Sequence, residues 1–407
     1  ANKENLIAND SEFRLCSFTD GKFSKTWNAS TSADFSSCLN AIRKLNHDLN
    51  SFLPSLWDIK KKKWIEEKGI VFSLKISNIK LIYSTIYVIR KHLHSKLPVE
   101  VFVSKKELRE CQRTLASLQV SCRVPQFNSI IRPPRSRFGW KPIAILQSSF
   151  KNVLWLDADC VPLVDPEELL ENEHFKKRGA IFWPDLTGVQ CDPSEISMWP
   201  SGSSEGALWN VFNVKFQASE WKHVQEFEAG QILIDTERYF GALHLVFFLT
   251  EHGIFQQFAY GDKEAFRWSW LSLNANFYFS EYPALVSYHK KFDHSSKQCY
   301  RMHYFQGKPV FIHGKKQSRK TARCGYDSSF SHSLVATSIP RETSVFPGGI
   351  CFNGTSFFCS RNNFPYVEHS KIVSSLVQDV EEAWERVYTQ YSRRNTLGER
   401  MLPSKNL

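Results

Sequence analysis

No stretch of this 407-residue chain is apolar over the roughly 18–20 residues that a membrane-spanning helix requires. The best run, Leu243 to Leu249, is short and holds His244. The sequence as it stands predicts a soluble chain. It begins with neither an initiator methionine nor the basic and apolar regions of a signal peptide, so any targeting or anchoring segment is expected to lie outside it. The cysteines contain no Cys-x-x-Cys pair, which argues against a structural zinc site. Internal repeats and low-complexity tracts are also missing, and no nucleic-acid recognition motif is found.

What is present describes a folded protein with a basic surface. A hydrophobic fraction of 42% against 23% charged residues excludes wholesale disorder, and the length allows a full core with an appended subdomain. Lysine and arginine total 52 against 41 aspartates and glutamates, a net charge of +11, which favours a polyanionic or phosphate-bearing partner. Nucleic acid is disfavoured because the cations are scattered. Ten cysteines and three Asn-x-Ser/Thr triplets, at Asn9, Asn28 and Asn353, point to an oxidising secretory lumen and a glycoprotein. The sequence-local pairs Cys111 with Cys122 and Cys351 with Cys359 are candidate disulfides, while the sequence leaves the overall connectivity open.

Residues 1 to about 68 are polar, with a helical patch from Phe35 to Leu53 and a basic run at Lys60–Lys63. From Gly69 the pattern alternates. A buried strand at Gly69–Leu74 is followed by a helix on Ile79, Ile82, Tyr83, Ile86, Ile89 and Leu93, which Pro98 stops. A strand at Val99–Val103, a helix at Lys105–Leu118 and a strand at Val120–Val124 come next, then a helix from Lys141 to Phe150 and a strand at Asn152–Leu156. Such alternation predicts an α/β fold with a largely parallel sheet. Asp165-Pro166 reads as the N-cap and first turn of a helix over Glu167–Leu170. A last helix is expected near Val373–Tyr391.

The strand at Asn152–Leu156 runs directly into Asp157-Ala158-Asp159. In open α/β sheets, ligands bind beyond the carboxyl ends of strands. Two carboxylates there can converge on a hard cation such as Mn²⁺ or Mg²⁺, which typically joins protein carboxylates to substrate phosphates. When a sugar leaves a nucleotide diphosphate, negative charge builds on the leaving group, and such a cation stabilises it. His313, after the apolar run Val310–Ile312, is a candidate third ligand, with His289, His294 and His303 as weaker ones. Trp183 is the one aromatic nominated for stacking on a sugar.

The stretch Gly139–Leu146, the run Val153–Pro166 around the aspartate pair and Gly179–Asp185 carry a family likeness, as do Glu228–Asp235, Gly261–Arg267 and Leu97–Phe102. Over roughly Gly69 to Gly314 the chain resembles the fungal Golgi α-mannosyltransferases that elongate outer-chain glycans. The resemblance implies a GT-A type single Rossmann-like domain at 69–315, with a stem-like N-terminal segment at 1–68 and a C-terminal extension at 316–407 packed on it. It also implies a retaining, metal-dependent transfer of mannose from GDP-mannose in α-1,2 or α-1,3 linkage to a glycan acceptor on a glycoprotein or polysaccharide. A Golgi lumenal location follows, with membrane attachment only through an N-terminal anchor absent from this chain.

By the same resemblance Asp157, Asp159 and His313 are the metal residues, while Lys141, Asp157, Gly230, Gln231, Lys263 and Lys315 surround the donor. Asp262 is the first candidate for the carboxylate nearest the anomeric carbon, with Glu228 and Asp235 as alternatives. Both covalent and same-face routes stay open. Ala229, where a serine is expected before Gly-Gln, and Cys160 after the aspartate pair depart from the family pattern. A retaining transferase using a UDP-sugar is therefore the second enzymatic reading, and a non-catalytic module for polyanions or glycans is the third.

Overall fold

Helix α1 (Ser32–Phe52) is the first described element and lays Leu39, Ile42, Leu45 and Leu49 into the main core beside Ile143, Leu243 and Leu249. The computed structural model describes residues 32–128 apart from 57–58 and 60–61, then 131–185, 211–212, 227–258, 261–280, 285–290, 297–313, 350–353, 356–359 and parts of 380–390. The helical patch expected within residues 1–68 is present as α1, and four of its side chains are at most 5% exposed within that core. Among the described residues, no helix is long and apolar enough to cross a membrane.

The alternation read from sequence is present. β1 (Glu66–Ser73) leads to α2 (Ile79–Tyr87), which widens into a π-turn at Val88–His92, and then to β2 (Val99–Phe102). α3 (Leu108–Leu115) and a short 3₁₀ turn precede β3 (Val120–Arg123), and the Cys111–Cys122 disulfide ties the two together as expected. α4 (Trp140–Gln147) ends three residues earlier than its apolar pattern suggested. Ser148 takes an extended conformation and its hydroxyl accepts the Phe150 amide at 3.1 Å, starting β4 (Phe150–Leu156). Beyond β5 (Cys160–Pro162), Asp165 caps α5 (Pro166–Leu170) by accepting the Glu167 amide, with Pro166 in the first turn. α6 (Glu173–Arg178) and β6 (Ala180–Pro184) follow.

The main sheet has the order β3-β2-β1-β4-β7-β6-β8, where β7 is Phe227–Asp235 and β8 is Tyr278–Phe279. Every neighbouring pair is parallel except those made by β7, which runs against both β4 and β6. This is the mostly parallel α/β sheet expected. Strands β2, β4, β6 and β7 are mostly buried, because helices lie against the faces of the sheet. α7 (Phe240–Glu251), α8 (Phe255–Phe258) and α9 (Gly261–Ser272) supply much of one cover.

A second, antiparallel sheet joins β5 to three later strands in the order β5-β11-β10-β9, with β9 Leu285–Lys290, β10 Lys297–Phe305 and β11 Lys308–His313. A hairpin of β12 (Ile350–Asn353) and β13 (Ser356–Cys359) carries Cys351 and Cys359 on adjacent strands. From the C-terminal extension, Trp384 is buried among Leu81, Val161 and Ile312, and its indole N–H donates to Thr85 at 3.2 Å.

The reversed direction of β7 positions the site. β4 and β7 pair in the register Leu156↔Gln231 and Asn152↔Asp235. The start of β7 therefore reaches the same edge as the end of β4, and its last residue lies at the opposite edge.

Candidate active site

At Asp157 the chain leaves β4 and turns. The Asp157 amide donates to the Gly230 carbonyl at 2.7 Å, and the Cys160 amide closes a turn on the Asp157 carbonyl at 3.0 Å. In an extended strand, residues two apart are separated by roughly 6.6 Å; the turn lets both aspartates face one point. His313, the last residue of β11, is set opposite Cys160 by the β5–β11 register and completes the group. Ligand atoms of Asp157, Asp159 and His313 all lie within 4.8 Å of one another, and His313 Nε2 is 3.7 Å from Asp159 Oδ1. Gly230 makes room for the imidazole, since a Cβ there would stand 2.5 Å from His313 Cε1.

Two further carboxylates border the group. Glu228 is buried, and its Oε1 accepts the amides of Ala229 and Gly230 at 2.8 Å each. Its Oε2 faces His313 Nδ1 at 3.5 Å. Asp262, at the start of α9, meets the Lys141 ammonium at 2.7 Å. Lys141 reaches Asp157 at 3.1 Å and also donates to the Ala229 carbonyl, so each of its three N–H groups has a protein acceptor. Lys141, expected near the donor, is here buried and paired with both Asp157 and Asp262. Trp155 Nε1 donates to the same Asp157 oxygen at 3.0 Å and its ring lies 5.4 Å from the ammonium.

The electrostatics follow from this crowding. Burial drives the Asp157 carboxyl up to about 6, with Lys141 opposing and Asp262 adding to the rise. Burial opposes the charge on Lys141, but Asp157 and Asp262 outweigh it and raise its pKa. Burial likewise opposes charge on His313, and the surrounding carboxylates, Glu228 first, push its pKa up to about 9. Four carboxylates thus gather around one ammonium and one imidazole. That negative excess, with two carboxylates and an imidazole converging, fits a divalent cation of the Mn²⁺ or Mg²⁺ kind. Glu228, His303 and His313 form a second convergence, also within 4.8 Å.

Other expected residues fall into place unevenly. Gln231 is wholly buried, its Oε1 accepting the Cys160 thiol at 3.3 Å, while its Nε2 has no hydrogen-bond partner among the described residues. Lys263 pairs with Asp185, at the end of β6, at 2.6 Å. Asp235 is corrected as a catalytic candidate: it lies at the far edge of the sheet and caps a turn by accepting the Glu237 and Arg238 amides at 3.0 and 2.9 Å. Trp183 is corrected as a sugar platform, since it is 0% exposed and its indole N–H donates to the Tyr304 carbonyl at 2.8 Å. Lys315, Asn9, Asn28 and His294 lie outside the described residues, as do the side chains of His289, Asn353, Cys351 and Cys359. Sequence reasoning passed over the Trp155–Asp157 contact, whose signal was the spacing of two along one strand. Asp185, in the Gly179–Asp185 stretch, is a second residue whose contact, here with Lys263, no local pattern signals.

Comparison with known proteins adds a family. Residues 67–307 match the family model described as "Mannosyltransferase putative". The α-1,2-mannosyltransferase MNN21 of Candida albicans is 35% identical over 132 residues, covering 29% of this chain and 20% of that protein. The α-1,2-mannosyltransferase MNN24 of the same organism is 28% identical over 226 residues, covering 49% of this chain and 32% of that protein. The chain thus spans a fifth to a third of the length of these relatives. Among solved structures, core-mannan synthase A (CmsA/Ktr4) of Aspergillus fumigatus in its Mn/GDP form aligns with a TM-score of 0.35 at 12% identity, over 54% of this chain and 72% of that one. A likeness of that degree transfers no detail of its site. The family match takes in more than half of the chain, from β1 through β10, and the chain belongs to this mannosyltransferase family.

Proposed function

We propose that this protein transfers mannose from GDP-mannose to a mannose-containing glycan in α linkage, with retention of configuration and with Mn²⁺ or Mg²⁺ held by Asp157, Asp159 and His313. The observation that carries the reading is the convergence of those three ligand atoms within 4.8 Å at the carboxyl end of β4. Membership of a mannosyltransferase family and the names of the relatives support mannose as the sugar. When bound, the cation supplies Lewis-acid stabilisation to the departing diphosphate.

The chain's own residues do the rest of the work. Lys141 holds Asp157 and Asp262 on one ammonium and keeps the two carboxylates in place. Asp262, thus anchored, is the carboxylate assigned to the sugar face, and Gly230 admits the close approach of His313. Residence in the Golgi lumen behind an N-terminal anchor is part of the same proposal; the Cys111–Cys122 disulfide supports an oxidising compartment.

The test is a thermal-stability screen with GDP and UDP, each with and without Mn²⁺, because a ligand that binds only the folded state raises the melting temperature. GDP is expected to stabilise the protein only when Mn²⁺ is present, and Asp159→Ala is expected to abolish the effect while remaining folded. Stabilisation by UDP alone would shift the donor to a UDP-sugar. Equal effects in EDTA, or none with either nucleotide, would overturn the metal-dependent reading.

A further inference from the structure

The Glu228 carboxylate is clamped by its own strand. Two backbone amides, those of Ala229 and Gly230, hold Oε1 at 2.8 Å each, which fixes the carboxyl plane and leaves Oε2 turned to the imidazole of His313. Glu228 and His313 are 7% and 12% exposed, so little solvent intervenes. The two ring nitrogens of His313 have different neighbours: Nδ1 faces Glu228 at 3.5 Å and Nε2 faces Asp159 at 3.7 Å. Nδ1 makes no hydrogen bond to any described group, and the Glu228 carboxylate is the charged group that faces it. A histidine that presents one nitrogen to a metal commonly donates its other N–H to a carboxylate, which fixes both tautomer and ring orientation.

We propose that Glu228 is a positioning residue that holds the Nδ1–H of His313, so that Nε2 keeps its lone pair toward Asp159, where Asp157, Asp159 and His313 would hold a cation. This rests on the reading that Asp157, Asp159 and His313 hold a divalent cation. It removes Glu228 from the candidates for direct attack at the sugar, because both of its oxygens are engaged by the protein. The same geometry predicts how a near-isosteric change acts. In Glu228→Gln the amide oxygen is still required by the Ala229 and Gly230 N–H groups, so the NH₂ faces Nδ1. That forces Nδ1 to accept and places the proton on Nε2, the wrong nitrogen for a metal ligand.

The experiment measures Mn²⁺ binding to the full chain by calorimetry or by electron paramagnetic resonance of free Mn²⁺, without nucleotide or acceptor. Wild type is expected to bind one ion, and Asp159→Ala to lose it; failure of that comparison would sink the metal reading itself. Given that control, Glu228→Gln is expected to weaken Mn²⁺ by about ten- to a hundredfold. In a His313→Ala background the same substitution is expected to change Mn²⁺ affinity little, because its effect passes through the imidazole. Unchanged affinity in Glu228→Gln with turnover abolished would overturn the positioning role and return Glu228 to the chemistry. Two ions per chain would also overturn it, since Glu228 would then be a ligand beside His303. Should Glu228→Gln unfold, Glu228→Asp retains the charge but draws it back from His313, and an undiminished Mn²⁺ affinity there would refute the proposal equally.

Discussion

Lys141→Met tests the electrostatic design of the site most directly. Methionine keeps most of the buried stem and its packing but removes the ammonium that Asp157 and Asp262 share at 3.1 and 2.7 Å. Breaking a buried ion pair by deleting one partner costs about 3–5 kcal/mol. The lower end applies, about 3 kcal/mol, because the Asp157 side chain is 34% exposed and water screens part of the uncovered charge. For a domain of this size that corresponds to a fall of roughly 6–12 °C in melting temperature.

The pH dependence makes the test specific. In wild type, burial already raises the Asp157 carboxyl from 3.8 to about 6, against the pull of Lys141. Without that pull the shift grows. A folded pKa above the unfolded value means that the folded state keeps a proton the unfolded chain has released. Stability therefore falls as pH rises through this window and recovers as pH drops. The deficit of Lys141→Met relative to wild type is expected to be largest above about pH 7 and to shrink toward about pH 4, read as melting temperature by circular dichroism in EDTA. An unchanged melting temperature, or a deficit equal at both ends of that range, would refute the assignment of Lys141 as the counter-charge of both aspartates.

Three other outcomes follow from single contacts. Gly230→Ala would place a Cβ 2.5 Å from His313 Cε1, so a loss of about 1–3 kcal/mol in stability is expected together with weakened Mn²⁺ binding; normal Mn²⁺ titration would show that His313 does not depend on this space. Trp183→Phe removes the hydrogen bond to Tyr304 and part of a buried side chain, so stability is expected to drop by about 1–3 kcal/mol with acceptor KM unchanged, whereas a raised KM at constant stability would restore its role as a sugar platform. Asp235→Ala is expected to cost about 1 kcal/mol through the lost turn cap and to leave kcat intact, which steady-state kinetics would check.

Much of the site could be read from local sequence because local rules govern its parts. The apolar run Val153–Leu156 reads as a covered strand within the strand–helix alternation, and an aspartate pair at its end lies where ligands collect in such sheets. Asp165-Pro166 could be read as a helix start because capping depends on adjacent residues alone, and the Cys111–Cys122 pair because few residues separate its ends. Asp235 and Glu228 stood in one motif with equal claims. What separated them was the direction of β7, a property of strand pairing that no local pattern encodes. Trp183 failed for a related reason: composition shows that an aromatic is present, but only packing decides whether its ring meets water or the Tyr304 carbonyl.

By itself, then, the sequence determined an α/β domain with an acidic pair at a strand end and a basic chain around it, because periodicity, capping and turn chemistry act over a few residues. Tertiary structure alone decided which distant groups meet that pair. The antiparallel β7 brings Glu228 and Gly230 to it, the second sheet delivers His313 from more than 150 residues away, and α4 and α9 send Lys141 and Asp262 to the same ammonium contact. The net charge of +11 gave no warning of this centre. Its local excess is negative, since convergence in space rather than abundance in the chain sets the field where a cation would bind.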